Sequence, residues 1–197
     1  MIIDVNVSEC DDAFVENIED IIEDTMVQMF VLHPKDEKSL QKVQKLSSKY
    51  NYVFYSATSE LMDQADHKCV GVFISKPSEL KSIEDHVVIV DETNLDTTMK
   101  RELVIHKGII LNATKAHDDL VNFYVSVGPG NVDEFDKSEL KDLEMDKIVL
   151  QSNYPKYDFD DIYTSAEVIS AATFRSEMSI AAEATKNTMK LFSLRKL

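Results

Sequence analysis

Short apolar runs alternate with amphipathic segments along the whole chain. Eight of these runs are rich in Val, Ile, Tyr and Phe, as the strands of a buried parallel sheet are. The predicted strands cover residues 1–7, 27–32, 52–56, 69–74, 87–90, 108–111, 124–127 and 148–151. The helical spacing of apolar residues predicts helices at 11–25, from Pro34 through Leu46, and at 138–143, 166–173 and 176–192.

The number of strands separates two architectures that share this local pattern. A doubly wound open sheet and a (βα)8 barrel both alternate strands with helices, and a count of eight favours the barrel. Segments 78–84 and 116–123 are too short for full helices. We therefore expect an α/β fold, a shortened (βα)8 TIM-type barrel with some thin or missing outer helices. Four glycines and four prolines leave no linker composition, so we predict a single domain over residues 1–197.

The charge balance narrows the classes of partner. The chain carries 36 acidic and 21 basic residues, for a formal net charge of −15. Proteins that grip DNA cluster Lys and Arg against the phosphates, and here the nearest approaches to a basic run are the pairs Lys100-Arg101 and Arg195-Lys196. We therefore expect no nucleic-acid partner. An acidic surface is also typical of a protein that stays soluble.

Other signals bear on the cellular compartment. No apolar run approaches the roughly 20 residues needed to cross a bilayer, so no membrane partner is expected. The first residues lack the basic region and cleavage pattern of a secretory signal. Cys10 and Cys69 lack the spacing of a zinc knuckle or a disulfide framework. We expect a cytoplasmic protein.

The most informative stretch is the last predicted strand with its loop. Residues 146–155 read Asp-Lys-Ile-Val-Leu-Gln-Ser-Asn-Tyr-Pro. They resemble the last strand of the TatD family of metal-dependent deoxyribonucleases, whose loop reads Glu-Thr-Asp-Ser-Pro with the aspartate as a metal ligand. Gln151, Ser152 and Asn153 stand in those places here. Residues 182–192 similarly resemble the closing helix of the family, Thr-x-x-Asn-x-x-x-Leu-Phe.

The first strand carries the same resemblance. Residues 2–8 read Ile-Ile-Asp-Val-Asn-Val-Ser and are similar to the family opening Asp-Thr-His-Cys-His, in which both histidines bind a metal. Asp4 is kept, while Asn6 and Ser8 take the places of the histidines.

The middle strands extend the resemblance with further changes. The stretch that begins at Cys69 aligns with Gly-Glu-Ile-Gly-Leu-Asp through Gly71, which puts Val72 in place of a bridging glutamate. Residues 87–92 resemble Val-Ile-His-Thr-Arg, with Val90 and Glu92 for the histidine and the arginine. Residues 108–113 resemble Gly-Val-Ile-His-Cys-Phe, with Leu111 for the next histidine.

These substitutions alter the chemistry that the resemblance implies. The family implies an amidohydrolase-like barrel with a metal-dependent hydrolase activity. Divalent ions are held by imidazole or anionic groups, for which amide, hydroxyl and apolar side chains are poor substitutes. The degenerate family-site positions are Asp4, Asn6, Ser8, Val90, Glu92, Leu111, Gln151 and Asn153. They indicate a pseudoenzyme without metal-dependent DNase activity that acts by binding an unknown small molecule or protein partner.

An active metal-dependent hydrolase or phosphodiesterase is the alternative. Asp4, Asp91 and Glu92 lie at or just past predicted strand ends, and three converging carboxylates could form a rearranged metal site. Only under this alternative is a divalent cofactor, Mg²⁺, Mn²⁺ or Zn²⁺, expected. A further hypothesis is a small-molecule site on the polar rim, formed by Asn6, Asn112, Gln151 and Asn153.

Two smaller features complete the set of candidates. Gly128 and Gly130 follow the seventh predicted strand and predict either a phosphate-binding loop or a tight turn. His33 is expected in a turn and His117 at the start of a short helix, with no catalytic pairing. The other histidines precede strands, on the end of the barrel away from the loops that carry chemistry; they are His67, His86 and His106.

Overall fold

A computed structural model describes residues 1–83 and 85–194, so the basic pair Arg195-Lys196 lies outside the described residues. Eight parallel strands form one sheet and follow one another in chain order. The strands are β1 Ile2–Val7, β2 Val27–Leu32, β3 Val53–Thr58, β4 Cys69–Ile74, β5 Val88–Asp91, β6 Gly108–Leu111, β7 Phe123–Val127 and β8 Ile148–Leu150. All eight predicted strands are confirmed.

The sheet curls into a nearly closed barrel through the loop after β8. Asn153 donates its backbone N–H to the carbonyl of Asn6 at 3.1 Å, and Ser8 donates to the carbonyl of Tyr154 at 3.0 Å. Val7 and Tyr154 form a parallel bridge. The loop makes these bonds because β8 has only three residues. The predicted barrel is therefore confirmed, and the open sheet is wrong.

The helices surround the barrel unevenly. In the described chain they are α1 Asp12–Asp24, α2 Glu37–Lys49, α3 Thr97–Leu103, α4 Lys137–Asp142, α5 Asp161–Thr173 and α6 Glu177–Leu191. Short 3-10 turns, Ser59–Gln64 and Pro77–Ser82, follow β3 and β4 in place of helices, and residues 112–122 join β6 to β7 without a helix. The predicted thin or missing helices are confirmed. No described helix is both long and apolar enough to span a membrane.

Some of the many acidic residues are aspartates that cap the N-termini of helices. The carboxylate of Asp11 accepts the N–H of Phe14 at 2.7 Å, and that of Asp36 accepts the N–H of Ser39 at 2.7 Å. Such caps satisfy free N–H groups and place negative charge at the positive end of the helix dipole. Because Asp36 caps α2, Pro34 lies before the helix, and its predicted place in the first turn is wrong.

Strand side chains alternate between two apolar layers. One set points outward and packs beneath the helices, and the other fills the barrel. The interior set contains Val5, Val31, Val87, Ile89, Ile109, Leu111, Tyr124 and Val149, joined by Leu191 and Phe192 from the end of α6. This interior apolar layer supports the polar side chains at the strand ends.

Helix α6 covers the seam between β8 and β1. Its shared face of Ile180, Ala184, Thr188 and Leu191 is buried, which confirms the prediction of core packing. The side-chain amide of Asn187 donates to the carbonyls of Met145 and Ile148, both at 2.8 Å. These bonds hold α6 against the three-residue strand β8.

Candidate functional site

The C-terminal ends of the strands carry a layer of buried polar side chains. In a parallel barrel these ends and the loops after them lie on one side, where such folds bind substrates. Asp4, Asn6, Ser126 and Gln151 are all buried in this layer. It is therefore the candidate site.

Gln151 lies at the centre of the layer and is 1% exposed. Its Oε1 accepts the hydroxyl of Ser126 at 2.6 Å and the backbone N–H of Asn112 at 3.1 Å, with a longer bond of 3.4 Å from Nδ2 of Asn6. Its Nε2 donates to Oδ1 of Asn112 at 2.5 Å. We call Gln151, Asn6, Asn112 and Ser126 the amide clasp, because one neutral amide joins groups from β1, β7, and the ends of β6 and β8.

Asn112 extends the clasp to β5. Its φ of 54° is in the left-handed region, which asparagine adopts more readily than most residues. Its Nδ2 donates to Oδ2 of Asp91 at 2.6 Å. Oδ1 of Asp91 accepts the N–H and the hydroxyl of Thr93 at 2.9 and 2.6 Å. Both oxygens of this carboxylate are therefore hydrogen-bonded within the protein.

Asp4 forms a second buried contact with the loop after β8. Its Oδ1 accepts the N–H groups of Asn6 and Ser152, both at 3.0 Å, and its Oδ2 accepts the hydroxyl of Ser152. Burial raises the pKa of Asp4, although these bonds favour the charged form. The carboxyl group therefore holds the β8 loop against β1.

The orientation of β5 corrects one predicted position. Val88 and Val90 pack in the layer beneath the helices, whereas Ile89 lies in the barrel interior. Alternation then places Asp91 on the interior side. Val90 faces away from the site, so its alignment with a ligand histidine is wrong. Val72 of β4 also packs beneath the helices, which removes it from the glutamate position.

The other family-site positions lie at the mouth of the barrel. Leu111 points into the interior at the end of β6. The hydroxyl of Ser8 donates to the carbonyl of Tyr154 at 2.6 Å. Asn153 has a φ of 64°, and its backbone N–H bonds to Asn6. Ser8 and Asn153 thus help to close the barrel.

Two loops meet in a contact between a carboxylate and an imidazole that the sequence did not predict. Oε1 of Glu92 lies 2.7 Å from Nε2 of His117, and Oε2 accepts the N–H and the hydroxyl of Thr114 at 2.9 and 2.7 Å. Burial pushes the pKa of Glu92 upward, but the bonds from His117 and Thr114 outweigh burial and lower it. We call Glu92 and His117 the loop pair.

The surroundings of His117 differ from the prediction. His117 lies in a loop, where its carbonyl accepts the N–H of Leu120 at 2.9 Å and closes a turn. The predicted short helix is therefore wrong. The side chain of His117 is 2% exposed. Nε2 faces the carboxylate and carries the proton, while Nδ1 has no hydrogen-bond partner among the described residues.

His33 is a buried structural residue on the opposite side of the mouth. Its Nε2 lies 2.8 Å from the carbonyl of Val5, and because a carbonyl only accepts, Nε2 carries the hydrogen. Nδ1 then accepts the hydroxyl of Ser56 at 2.7 Å. Burial lowers the pKa of His33 to about 4. It is therefore neutral at pH 7 and joins the ends of three neighbouring strands.

The carboxylates do not converge on a common point. Asp4 bonds to Ser152 in the loop after β8. Asp91 bonds to Asn112 at the end of β6, and Glu92 bonds to His117 in the β6–β7 loop. Within residues 1–83 and 85–194, no three His, Cys, Asp or Glu side chains are grouped as metal ligands. The structure therefore does not assemble the predicted rearranged site. Amide, hydroxyl and apolar side chains at the mouth do not fit the metal centre that the TatD resemblance implies.

The glycine loop after β7 has the geometry of a tight turn. Gly128 donates its N–H to Oδ1 of Asn131 at 2.7 Å, and its carbonyl accepts the N–H groups of Asn131 and Val132. At Gly130 a Cβ atom would lie 2.7 Å from the ring of Tyr157. Phosphate binding by Gly128 and Gly130 stays a prediction, with the Gly128 amide already engaged.

No protein-family model matches the chain, and no curated protein does. Among solved structures, the TatD homologue YjjV from Escherichia coli K12 matches with a TM-score of 0.78 and 13% identity over 98% of both chains. A TatD family hydrolase from Entamoeba histolytica matches with a TM-score of 0.68 and 10% identity, over 96% of this chain and 97% of that one. The chain has the fold of the TatD homologues.

The same barrel is shared more widely. A 2,6-dihydroxybenzoate decarboxylase from Rhizobium matches with a TM-score of 0.58 and 10% identity over 98% of both chains. At these identities the likeness concerns the fold. The TatD-type barrel predicted from the strand ends is confirmed at that level, and the chemistry depends on the side chains at the mouth.

Proposed function

We propose that this TatD-type barrel is a pseudoenzyme that lacks metal-dependent DNase activity and acts by binding. The observation that carries the proposal is the internal bonding of the mouth. The side chain of Gln151 bonds to Asn6, Asn112 and Ser126, and the carboxylate of Asp91 is bonded on both oxygens. Polar groups where a hydrolase would bind metal and water are thus bonded to one another.

The side-chain chemistry supports the same proposal. Metal-assisted hydrolysis of a phosphodiester needs an ion that activates water and neutralises the phosphate, and fixed imidazoles or carboxylates must hold that ion. Leu111 faces the interior where the resemblance expects a histidine, and Asn6 and Ser8 replace the pair on β1. A neutral donor set of this kind binds divalent cations weakly.

We favour a protein partner over a small molecule held by the amides of the rim. The rim hypothesis needs free amides, but those of Gln151 and Asn112 bond to each other. The net charge of −15 opposes a nucleic-acid partner. Both cysteines are free thiols, in keeping with a cytoplasmic location.

Metal analysis and a phosphodiesterase assay test the proposal together. The purified protein is incubated with Mg²⁺, Mn²⁺ or Zn²⁺, dialysed, analysed for metal, and assayed on bis(p-nitrophenyl) phosphate and on DNA. We expect neither stoichiometric metal nor turnover above the buffer rate. Turnover that Asp91→Ala abolishes, and that the exposed control Asp119→Ala retains, would establish the alternative of an active hydrolase with a carboxylate site. Stoichiometric metal retained after dialysis would also contradict the pseudoenzyme.

A further inference from the structure

We infer that Gln151 is a neutral structural clasp, which ties the strand ends together at the mouth, where the TatD resemblance implies a metal centre. This inference rests on the proposed function, because a catalytic ion at the mouth would compete for the same groups. Its basis is the position of the side chain. Gln151 reaches from the end of β8 to Ser126 on β7, to Asn112 after β6 and to Asn6 on β1, and Asn112 reaches on to β5.

The bonding pattern requires an amide. Oε1 accepts from three groups that approach from different strands, while Nε2 on the same carbon donates to Asn112. A glutamate carboxylate could accept the three bonds but could not donate a hydrogen bond to Asn112. The thioether of methionine is a weak acceptor and cannot donate at all. An amide is also neutral, so its burial carries no cost for a bare charge.

The neighbouring backbone is shaped to admit this side chain. A Cβ atom at Gly128 would lie 2.5 Å from the carbonyl oxygen of Gln151 and 2.6 Å from its Cγ. Only glycine leaves that space, because contacts this short do not occur between real side chains and backbone. The glycine after β7 is therefore explained by the stem of Gln151, a requirement independent of any phosphate.

The clasp also restricts where a ligand can bind at the mouth. A small molecule that reaches the amide of Gln151, which is 1% exposed, has to break its buried hydrogen bonds and satisfy every group that it frees. The strand ends that look like a degenerate site are therefore a structural core. The binding proposed above is therefore expected away from Gln151.

Thermal unfolding of two matched variants tests the clasp. Gln151→Met keeps the size of the side chain but leaves the buried donors of Asn112 and Ser126 unpaired, and we expect the Tm to fall by about 10 °C. The control Gln41→Met makes the same change at an exposed glutamine of α2, with an expected shift below roughly 2 °C. Equal shifts in the two variants would overturn the inference.

A measurement on the wild-type chain covers the case in which Gln151→Met does not fold. The backbone N–H of Asn112 is bonded to Oε1 of Gln151, so its hydrogen exchange should be as slow as that of the β6 amides. Exchange at the rate of an open loop would contradict the clasp. A rise in wild-type Tm with added Mg²⁺, Mn²⁺ or Zn²⁺ would instead contradict the proposed function, so the two failures are distinguishable.

Discussion

The amide clasp and the loop pair lie at the same end of the barrel but hold it by different means. The clasp is neutral and built from the ends of strands, around the buried amide of Gln151. The loop pair joins the carboxylate of Glu92, which lies just after β5, to the imidazole of His117 in the connection between β6 and β7. Asn112 extends the clasp to Asp91, the residue before Glu92 in the chain, since it bonds to Gln151 on one side and to Asp91 on the other.

The difference shows how a mouth without metal ligands can stay closed. Neutral groups on rigid strands tolerate deep burial, because their hydrogen bonds replace those lost to water. The carboxylate of Glu92 lies after a strand end and keeps partial hydration, with 16% of its side chain accessible. The clasp should therefore respond to changes of shape and hydrogen bonding, and the loop pair to pH.

The largest effect is expected on the strand side of the mouth, at Asp4. Asp4→Ala leaves two backbone N–H groups and the hydroxyl of Ser152 unpaired in the core. We expect a loss of about 4 kcal/mol in the free energy of unfolding, measured by urea denaturation at pH 7. The exposed Asp20→Ala in α1 is the control and should change it by less than about 0.5 kcal/mol. A loss equally small at Asp4 would mean that strand-end polar groups do not hold the mouth.

His33 sharpens the comparison, because a residue that is neutral when folded can still make stability depend on pH. Its folded pKa of about 4 lies below its ordinary value of 6.5, so the unfolded state binds a proton first as pH falls. Stability is therefore lost from pH 6.5 downward, and the loss reaches roughly 3 kcal/mol near pH 4. His33→Gln should remove this part of the acid dependence in urea titrations at pH 7, 6 and 5. Parallel curves for the wild type and the variant would contradict the assignment.

The sequence predicted the regular elements more fully than the contacts between loops. Buried parallel strands are marked by continuous apolar runs, and the buried face of α6 by its helical spacing, so both were predicted. The side of β5 on which Val90 lies depends on the register with its neighbours, which a four-residue strand does not show by itself. Helix α3 was missed because seven residues carry too little apolar periodicity.

The contacts of the mouth could not be derived from local pattern. Asp4 and Ser152 are 148 positions apart in the chain, and Glu92 and His117 are 25 apart. Local sequence patterns do not predict hydrogen bonds between residues this far apart in the chain. The resemblance to TatD proteins did bring Asp4, Asn6 and Gln151 to one end of the barrel, but it gave no hydrogen bond between them.

Asn112 tests the link between the clasp and Asp91. Asn112→Gly keeps the left-handed backbone accessible but removes the side-chain bonds to Gln151 and Asp91. We expect a loss of about 2 kcal/mol in the free energy of unfolding. Asn112→Ala should cost roughly 1 kcal/mol more, because its Cβ disfavours a positive φ. If alanine were no worse than glycine, the strained backbone would not contribute to the mouth.

The smallest effect should come from the loop pair, and it should depend on pH. The pKa of Glu92 is lowered in the folded state from its ordinary 4.5, so its contribution is present above pH 4.5 and is lost as pH falls through the lower folded value. Glu92→Gln should reduce the free energy of unfolding by about 1 kcal/mol at pH 7 and by less at pH 3.5. The exposed Glu134→Gln is the control.

Hydrogen exchange in the Glu92→Gln variant separates the two clusters. Exchange should speed up at Thr114, whose N–H bonds to Glu92, and should stay slow at Asn112, whose N–H bonds to Gln151. Loss of protection at both amides would show that the loop pair and the clasp open as one unit, because the loops and the strand ends would then share a single opening step. Loss at Thr114 alone would show that the clasp holds the barrel closed without help from the loop pair.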